Sequence, residues 1–109
     1  MNHYIYRIQP TRIEMLSDGP TQQESRAVAE HFSYLQGLAD EGRLFMAGRT
    51  LLTDERTFGI AVFAAASDEE ARRVLADDPA VLGGVMRGEV YPFGMAIWSG
   101  NPLAQPRKA

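Results

Sequence analysis

Apolar residues recur along this chain at two different spacings, and each spacing predicts a different kind of element. From Gln22 to Glu41 they repeat at roughly 100° per residue, and charged and amide side chains occupy the other side of the helical wheel. Elsewhere, short runs rich in β-branched and aromatic residues lie between turn residues, a pattern typical of strands. These runs predict strands at Tyr4–Ile8, Leu44–Leu51 and Phe58–Ala65, and a final pair or one bent strand at Val85–Tyr91 and Phe93–Trp98, broken at Pro92.

Turn and capping residues separate these elements. The first helix is predicted to stop at Gly42, because glycine accepts the backbone conformation that ends a helix. Ser67 is followed three residues later by Glu70, which is the form of a capping box and predicts the start of a second helix. That helix should end at Asp78–Pro79, since the residue before proline avoids the helical region. Thr11–Thr21 is predicted to be a loop long enough to cover part of the molecule.

The order of these elements predicts the fold. It is β-α-β-β-α-β with an extra strand at the end, which is the ferredoxin-like arrangement of an antiparallel sheet with two helices on one face. We therefore expect an α+β fold in a single domain, residues 1–99, followed by a flexible tail, residues 100–109. Strand residues such as Ile5, Phe63, Val90 and Ile97 predict that both sheet faces are apolar. The face without helices is then expected to be buried against a second copy of the chain, in a homodimer.

One histidine interrupts the apolar side of the first predicted helix. His31 lies near the middle of the apolar arc, where a leucine would be expected. The other members of this arc are Ala27, Val28, Phe32, Tyr34, Leu35, Leu38 and Ala39. A side chain that can carry a proton is therefore predicted to point at the core, either as a hydrogen-bonded core histidine or as a functional group.

Composition limits the chemistry that is available. The chain has 109 residues, no cysteine, two histidines and a net charge of −3. The lack of cysteine excludes thiolate catalysis and disulfides, and the two distant histidines predict no metal site. The sequence contains no phosphate-binding glycine loop or nucleophile constellation, so we expect no cofactor. No apolar run approaches the roughly 20 residues of a membrane span, and we expect a cytoplasmic protein without a membrane partner.

Three longer segments form a recognisable combination: EHFSYLQGLADEGRLFMAGRT, FGIAVFAAASDEEARRVLADDPAV and GVMRGEVYPFGMAIW. Together they resemble the YCII-related (YciI-like) family over about Tyr4 to Trp98. The most telling elements are His31, the Asp-Glu-Gly-Arg end of its helix, the Ser-x-Glu-Glu-Ala opening of the second helix, Asp78–Pro79 and Pro92–Phe93. The resemblance implies a dimeric α+β barrel of ferredoxin-like protomers, and it ties some members to the catabolism of chlorinated aromatics.

The same resemblance implies an active site built on His31 and an aspartate. Asp78 is the position that corresponds to this aspartate, although Asp77 directly precedes it and either carboxylate could face the site. A carboxylate on one ring nitrogen would leave the other free to move a proton. The alternatives are that His31 is a core histidine and that Asp78–Pro79 is only a helix stop. The Thr11–Thr21 loop is longer than in the shortest members of the family.

Three further side chains are candidates for binding a substrate. Arg7 interrupts an apolar strand and Arg49 follows Gly48 near the end of another, and a half-buried guanidinium usually has an anionic partner. That partner could be a substrate, or it could be a carboxylate of the chain such as Glu89 or Asp78. Tyr34, on the flank of the helix next to His31, could pack in the core or orient a substrate.

Three functions follow from these residues. The first is a cofactor-independent lyase or isomerase in which His31 transfers a proton on a small aromatic or acidic compound. The second is a dimeric domain that binds such a compound without turning it over. The third is RNA binding, because Arg56–Phe63 partly matches an RNA-recognition signature. The signature lacks its aromatic at Ile60 and the net charge is negative, so we expect no nucleic-acid partner.

Overall fold

The computed structural model describes residues 1–99, which form a four-stranded antiparallel sheet and four helices. The strands are β1 (Asn2–Pro10), β2 (Leu44–Arg49), β3 (Gly59–Ala65) and β4 (Met86–Pro92). The helices are α1 (Glu14–Ser17), α2 (Gln22–Asp40), α3 (Asp68–Ala76) and α4 (Pro79–Leu82). The strand order is β2-β3-β1-β4, so the predicted α+β, ferredoxin-like fold is confirmed. The predicted flexible tail lies outside the described residues.

Strand β1 lies in the middle of the sheet and sends alternate side chains to opposite faces. It pairs antiparallel with β3 and with β4, and Tyr6 lies opposite Ala61 on one side and Val90 on the other. Tyr4, Tyr6 and Ile8 are buried on the face that the helices cover. Two tyrosines in the core are notable, because a buried hydroxyl needs a hydrogen-bond partner.

Helix α2 carries His31, and local signals set both of its ends. Thr21 caps the first turn: its hydroxyl accepts the Glu24 backbone N–H at 3.1 Å, and the Glu24 carboxylate accepts the Thr21 N–H at 2.8 Å. At the other end Gly42 has a φ of 75°, and the N–H of Arg43 donates to the carbonyl of Leu38 at 2.9 Å. This is a Schellman ending, so the predicted helix stop at Gly42 is confirmed.

The apolar arc predicted for α2 is too wide. Ala27 and Leu38 are buried, whereas Val28 is 38% exposed and Phe32 is 69% exposed. The buried stripe is centred close to His31 and Leu38, and at 100° per residue Phe32 lies on the flank of the helix. The prediction that Val28 and Phe32 belong to the core is therefore wrong for the single protomer.

The prediction of a strand at Phe93–Trp98 is also wrong. β4 ends at Pro92, which lies opposite Tyr4, and β1 begins only two residues away at Asn2. Beyond that point little of β1 remains to pair with, and the last backbone contact is the Phe93 N–H donating to the His3 carbonyl at 3.0 Å. Ile97, which the sequence had placed on a strand, is 91% exposed.

The segment Thr11–Thr21 is not wholly a loop, because it contains helix α1. Met15 of α1 is buried with Ala27 of α2 and Val85, and these three residues form a small second core. The Asp18-Gly19-Pro20 turn follows α1, as its turn signal predicted. The segment therefore packs against the start of α2 instead of standing free.

An ion pair holds this segment to α2. The Arg12 guanidinium donates to both Glu24 oxygens, Nη2 to Oε1 at 2.6 Å and Nε to Oε2 at 2.9 Å. The hydrogen bonds from Arg12 and from the Thr21 backbone lower the pKa of Glu24 from 4.5 to about 2. A carboxyl with a lowered folded-state pKa stabilises the fold above its unfolded pKa, and this stabilisation is lost as the pH falls through the folded pKa.

Replacing Glu24 with glutamine should therefore destabilise the protein most above pH 4.5, and this difference from the wild type should shrink toward pH 2. The measurement is the urea midpoint of both proteins at pH 6 and at pH 3. The control is Glu69→Gln, which removes an exposed pair with Arg73 and should give a small difference at either pH. An equal loss for Glu24→Gln at both values would contradict the assignment.

The sheet face away from the helices remains largely apolar and partly exposed. Val62 is 4% exposed, but its neighbours on the same face are more open, with Met46 at 42% and Tyr91 at 50%. Phe45 lies edge-on to His3 with ring centroids 4.9 Å apart. We refer to this surface as the open sheet face.

Candidate active site

Asp78 lies at the junction of α3 and α4, and the sequence explains its position. α3 ends with Asp77 as its C-cap, and Asp78 has an extended backbone (φ −59°, ψ 124°), as expected before proline. Pro79 is then the first residue of α4, a position that proline favours. Asp78 is completely buried, whereas Asp77 is exposed. Asp78, and not Asp77, is therefore the carboxylate that faces inward.

Three donors surround the Asp78 carboxylate. Oδ1 accepts the Ala80 backbone N–H at 2.9 Å, as the N-cap of α4. Oδ2 accepts two hydrogen bonds, one from the Tyr6 hydroxyl at 2.8 Å and one from Nδ1 of His31 at 2.6 Å. A carboxylate without contact to water is costly unless donors compensate its charge, and these three do so.

His31 reaches this carboxylate from α2, with its side chain only 16% exposed. An ionised carboxylate only accepts hydrogen bonds, so Nδ1 carries the proton in this contact. The other ring nitrogen, Nε2, makes no hydrogen bond to any of residues 1–99. In the neutral ring Nε2 is then an unprotonated base, and a carboxylate behind Nδ1 stabilises the ring when Nε2 takes up a proton.

The three candidate binding residues lie in different places. The Tyr34 hydroxyl donates to the Val74 carbonyl at 2.7 Å, so its hydroxyl is engaged in the protomer. Burial, followed by the negative charges of Asp77 and Asp78, raises the pKa of Tyr34 to about 12. Its ring remains beside the His31 pair, but its hydroxyl holds α2 to α3.

Arg7 lies on the sheet face opposite to His31. Its Nη1 is 3.4 Å from Glu89 Oε1, and its guanidinium lies 4.7 Å from the centre of the Phe58 ring. The ion pair between Arg7 and Glu89 is the alternative to substrate binding that was inferred from the sequence. The structure does not bring Arg7 and His31 together within one protomer.

Arg49 lies at the end of β2 on the helix side of the sheet. It pairs with Gly59, where an added Cβ would lie 3.5 Å from Ile8 of the core and 3.8 Å from Cβ of Arg49. Arg49 is exposed and makes no ion pair within residues 1–99. Ala47, two residues earlier on the same face, is also exposed, so α2 does not cover this end of β2, whereas Leu44 at the other end packs against the core.

Two surface concavities lie near these residues. The larger, of about 500 Å³, is lined by Arg26, Ala29, Glu30, Ser33, Tyr34 and Pro79. The smaller, of about 300 Å³, is lined by Met46, Gly48, Arg49, Thr50, Phe58 and Ile60. His31 lines neither of them. Neither concavity therefore opens onto the His31 ring.

Two kinds of feature are absent from residues 1–99. This part of the chain holds no group of three or more histidine, cysteine, aspartate or glutamate side chains placed to bind a metal ion. None of its helices combines the length and the apolar composition needed to cross a membrane.

Comparison with known proteins decides the family. The profile of the YCII-related domain matches residues 5–94, which is most of the chain. The chain belongs to the YCII-related family. The resemblance noted in the sequence is thereby confirmed, and no curated protein matches significantly.

A solved structure shares the fold. It is 5-chloro-2-hydroxyhydroquinone dehydrochlorinase (TftG) from Burkholderia phenoliruptrix, in complex with 2,5-dihydroxybenzoquinone. The alignment covers 86% of this chain and 94% of that one, with a TM-score of 0.60 and 24% sequence identity. At this identity the likeness concerns the fold of the YCII-related domain.

Tyr6 is the site residue that sequence reasoning missed. The signal was present, because Tyr4 and Tyr6 alternate on a strand whose inward face is otherwise apolar. A tyrosine hydroxyl inside a core needs an acceptor, and a buried aspartate is a strong one. Nothing local in the sequence indicates which acceptor, since 72 residues separate Tyr6 from Asp78.

Proposed function

We propose that this YCII-related protein is a cofactor-independent lyase or isomerase that acts on a small aromatic or acidic compound through proton transfer at His31. One observation carries the proposal: Nδ1 of His31 lies 2.6 Å from the fully buried Asp78 carboxylate, and Nε2 has no partner among residues 1–99. Nε2 is not among the buried unbonded atoms of residues 1–99, so this nitrogen is open to solvent and accessible to a small compound. His31 and Asp78 are the proposed catalytic pair.

The structural likeness to TftG supports the choice of substrate class. That protein is a dehydrochlorinase and is bound to a dihydroxybenzoquinone, so the same fold accommodates a small oxygenated ring. We extend this class to the present chain, with a chlorinated hydroxyhydroquinone as the first compound to test.

On such a substrate the proposed reaction balances without a redox partner. Nε2 of His31 takes a proton from a ring hydroxyl and delivers it to the ring carbon that bears chlorine. A second hydroxyl proton is lost as chloride departs with the electron pair of the carbon–chlorine bond, and a quinone remains. One HCl leaves per turnover, and the two electrons that the ring gives up are those that the chloride carries away.

The proposed binding surface is the uncovered strip between α2 and β2. Val28 and Phe32 are exposed on α2 near His31, and Ala47 and Arg49 are exposed on the helix side of β2. An aromatic ring could pack against Phe32 while its ionised oxygen contacts the Arg49 guanidinium. Arg49 is thus proposed to bind the substrate, and Tyr34 to bound the site through its ring.

We also propose that the active form is a homodimer joined through the open sheet face, giving a dimeric α+β barrel. The open sheet face is apolar, and the concavity at its edge is lined by Met46, Phe58 and Ile60. Burying such a face against a second copy removes an apolar patch from water. Arg7 would then lie in the interface.

Light scattering at low micromolar concentration should return about twice the 12.1 kDa chain mass. Met46→Lys combined with Tyr91→Lys places two charges on the open sheet face and should give monomers. The control is Leu82→Lys, which replaces an exposed apolar residue on α4 and should leave the dimer intact. A wild-type monomer, or a dimer insensitive to Met46→Lys and Tyr91→Lys, would contradict the proposed interface.

The test of function measures chloride release from 5-chloro-2-hydroxyhydroquinone and, separately, binding of 2,5-dihydroxybenzoquinone by difference absorbance. Turnover that saturates with substrate supports the enzyme. Binding without chloride release would support the second candidate, a dimeric domain that only binds small rings. Neither binding nor turnover, for this compound and for related halogenated and non-halogenated hydroquinones, would reject the proposed substrate class.

A further inference from the structure

We propose that Tyr6 is a positioning residue of the His31–Asp78 pair and that its hydroxyl lowers the proton affinity of the His31 ring. Tyr6 does not reach Nε2; it acts through Asp78, because its hydroxyl and His31 Nδ1 donate to the same oxygen, Oδ2. The inference rests on the proposed use of His31 as a proton carrier, but it is tested by a measurement that does not need turnover.

The contact is rigidly defined. Tyr6 is 1% exposed, lies on the central strand β1, and packs against Phe63 with ring centroids 5.8 Å apart. Burial, followed by the nearby Asp78 charge, raises the pKa of Tyr6 far above its ordinary value. Its hydroxyl therefore stays protonated and donates at every pH at which the protein would act. Asp78 Oδ1 is bonded to Ala80, so the carboxylate cannot rotate away freely.

The effect on His31 has a definite sign. Each hydrogen bond to Oδ2 stabilises the negative charge of Asp78 and so reduces its pull on the proton of the neighbouring ring. Without the Tyr6 hydroxyl, Oδ2 has one donor fewer in a site closed to water, and it holds an imidazolium more strongly. The pair then releases its proton at higher pH, and Nε2 is a free base over a smaller part of the neutral range.

Other ionisable groups around the pair stay the same in this comparison. These groups are Glu24, Glu30 and Tyr34 on α2, Glu41 and Arg43 beyond its C-terminal end, Asp77 before α4, and Arg49 on β2. Glu24 is already paired with Arg12, and Arg43 with Glu70. Replacing Tyr6 with phenylalanine keeps the ring in the core and removes only the hydroxyl.

The chain supplies a matched control on the same strand. The Tyr4 hydroxyl donates to Asp68 Oδ1 at 2.6 Å, at the start of α3, and Tyr4 is 2% exposed. Tyr4 and Tyr6 therefore each hold an aspartate at the start of a helix, but only the second aspartate contacts a histidine. Tyr4→Phe removes an equivalent hydrogen bond with no path to His31.

The experiment is an NMR titration of the His31 ring. The chain has two histidines, so His3→Gln in every sample leaves a single ring to follow. Tyr6→Phe should move the His31 titration midpoint to higher pH by about one unit, and Tyr4→Phe should leave it unchanged. No shift in Tyr6→Phe, a shift to lower pH, or the same shift in both variants would overturn the inference.

A second measurement covers the case in which Tyr6→Phe does not fold. Site-specific incorporation of 3-fluorotyrosine at position 6 keeps the ring in place and makes its hydroxyl a stronger donor. The His31 midpoint should then move to lower pH, and a shift to higher pH would overturn the inference. If the midpoints move as expected while no turnover is found, the proposed function fails and the role of Tyr6 stands. If turnover depends on His31 but a change at Tyr6 leaves the His31 titration midpoint unchanged, only the role of Tyr6 fails.

Discussion

Replacing His31 with asparagine should reduce turnover by about 10²–10⁴-fold and leave the fold in place, because general acid–base catalysis contributes about this much. The side-chain amide of asparagine can occupy the position of Nδ1 and donate to Asp78 Oδ2. It has no atom at the position of Nε2. The variant therefore keeps the hydrogen bond to Asp78 and removes the nitrogen that is proposed to transfer the proton. The measurements are the initial rate of chloride release and a thermal melt followed by circular dichroism.

Two companion variants separate chemistry from packing. His31→Leu removes both halves of the contact, so turnover should fall as far as in His31→Asn and the stability should fall further. Asp78→Asn presents an amide where Oδ2 accepted two donors, and this amide can donate to Nδ1 of His31. The ring must then carry its proton on Nε2, so turnover should also fall by about 10²–10⁴-fold. Full activity in His31→Asn would reject His31 as the proton carrier.

The largest effect on stability is expected for Asp78→Ala. Asp78 has no exposed surface, and its loss leaves three donors without an acceptor: the Tyr6 hydroxyl, the Ala80 N–H and Nδ1 of His31. Removing one partner of a buried polar cluster costs about 3–5 kcal/mol. A domain of this kind has a total unfolding free energy of about 5–15 kcal/mol. We therefore expect a large drop in the urea midpoint, or failure to fold.

The neighbouring residue is the control for this change. Asp77 is exposed, and Asp77→Ala should change the unfolding free energy by less than about 0.5 kcal/mol. In Asp78→Ala combined with Tyr6→Phe, one of the stranded donors is gone, so the double variant should be more stable than the sum of the two single losses. Equal, small effects of Asp77→Ala and Asp78→Ala would contradict the buried cluster.

Features governed by neighbouring residues were predictable from the sequence. The extent of α2 follows from its apolar repeat and from Gly42, and the N-cap role of Ser67 follows from its hydroxyl, which accepts the Glu70 N–H at 3.1 Å. The other half of that capping box does not form, because the Glu70 carboxylate instead accepts the Ala66 N–H and an Arg43 donor. Arg43 lies 27 residues from Glu70, so no local pattern in the sequence indicates that Arg43 binds the carboxylate of Glu70.

Predictions failed where the outcome depended on which element of the folded chain faces the segment. Phe93–Trp98 has the composition of a strand, but a strand needs a partner with free backbone groups, and β1 has already begun at Asn2. Phe32 has the apolar character of a core residue, but it lies on a flank of α2 that no other element of residues 1–99 covers. In both cases the residue type was interpreted correctly, but the sequence pattern does not show which groups the residue faces in the folded chain.

The sequence by itself determined the order of the four sheet strands and of helices α2 and α3, the ferredoxin-like fold, the family and the presence of a histidine on the inward side of α2, because spacing, capping and turn chemistry act over a few residues. Only the tertiary structure decided that Asp78 and not Asp77 is buried, and that Oδ2 of Asp78 is shared by His31 and Tyr6. These partners are 47 and 72 residues away along the chain. The sheet register and the packing of α2 against α4 bring them together, and the buried carboxylate requires donors that no local pattern can assign.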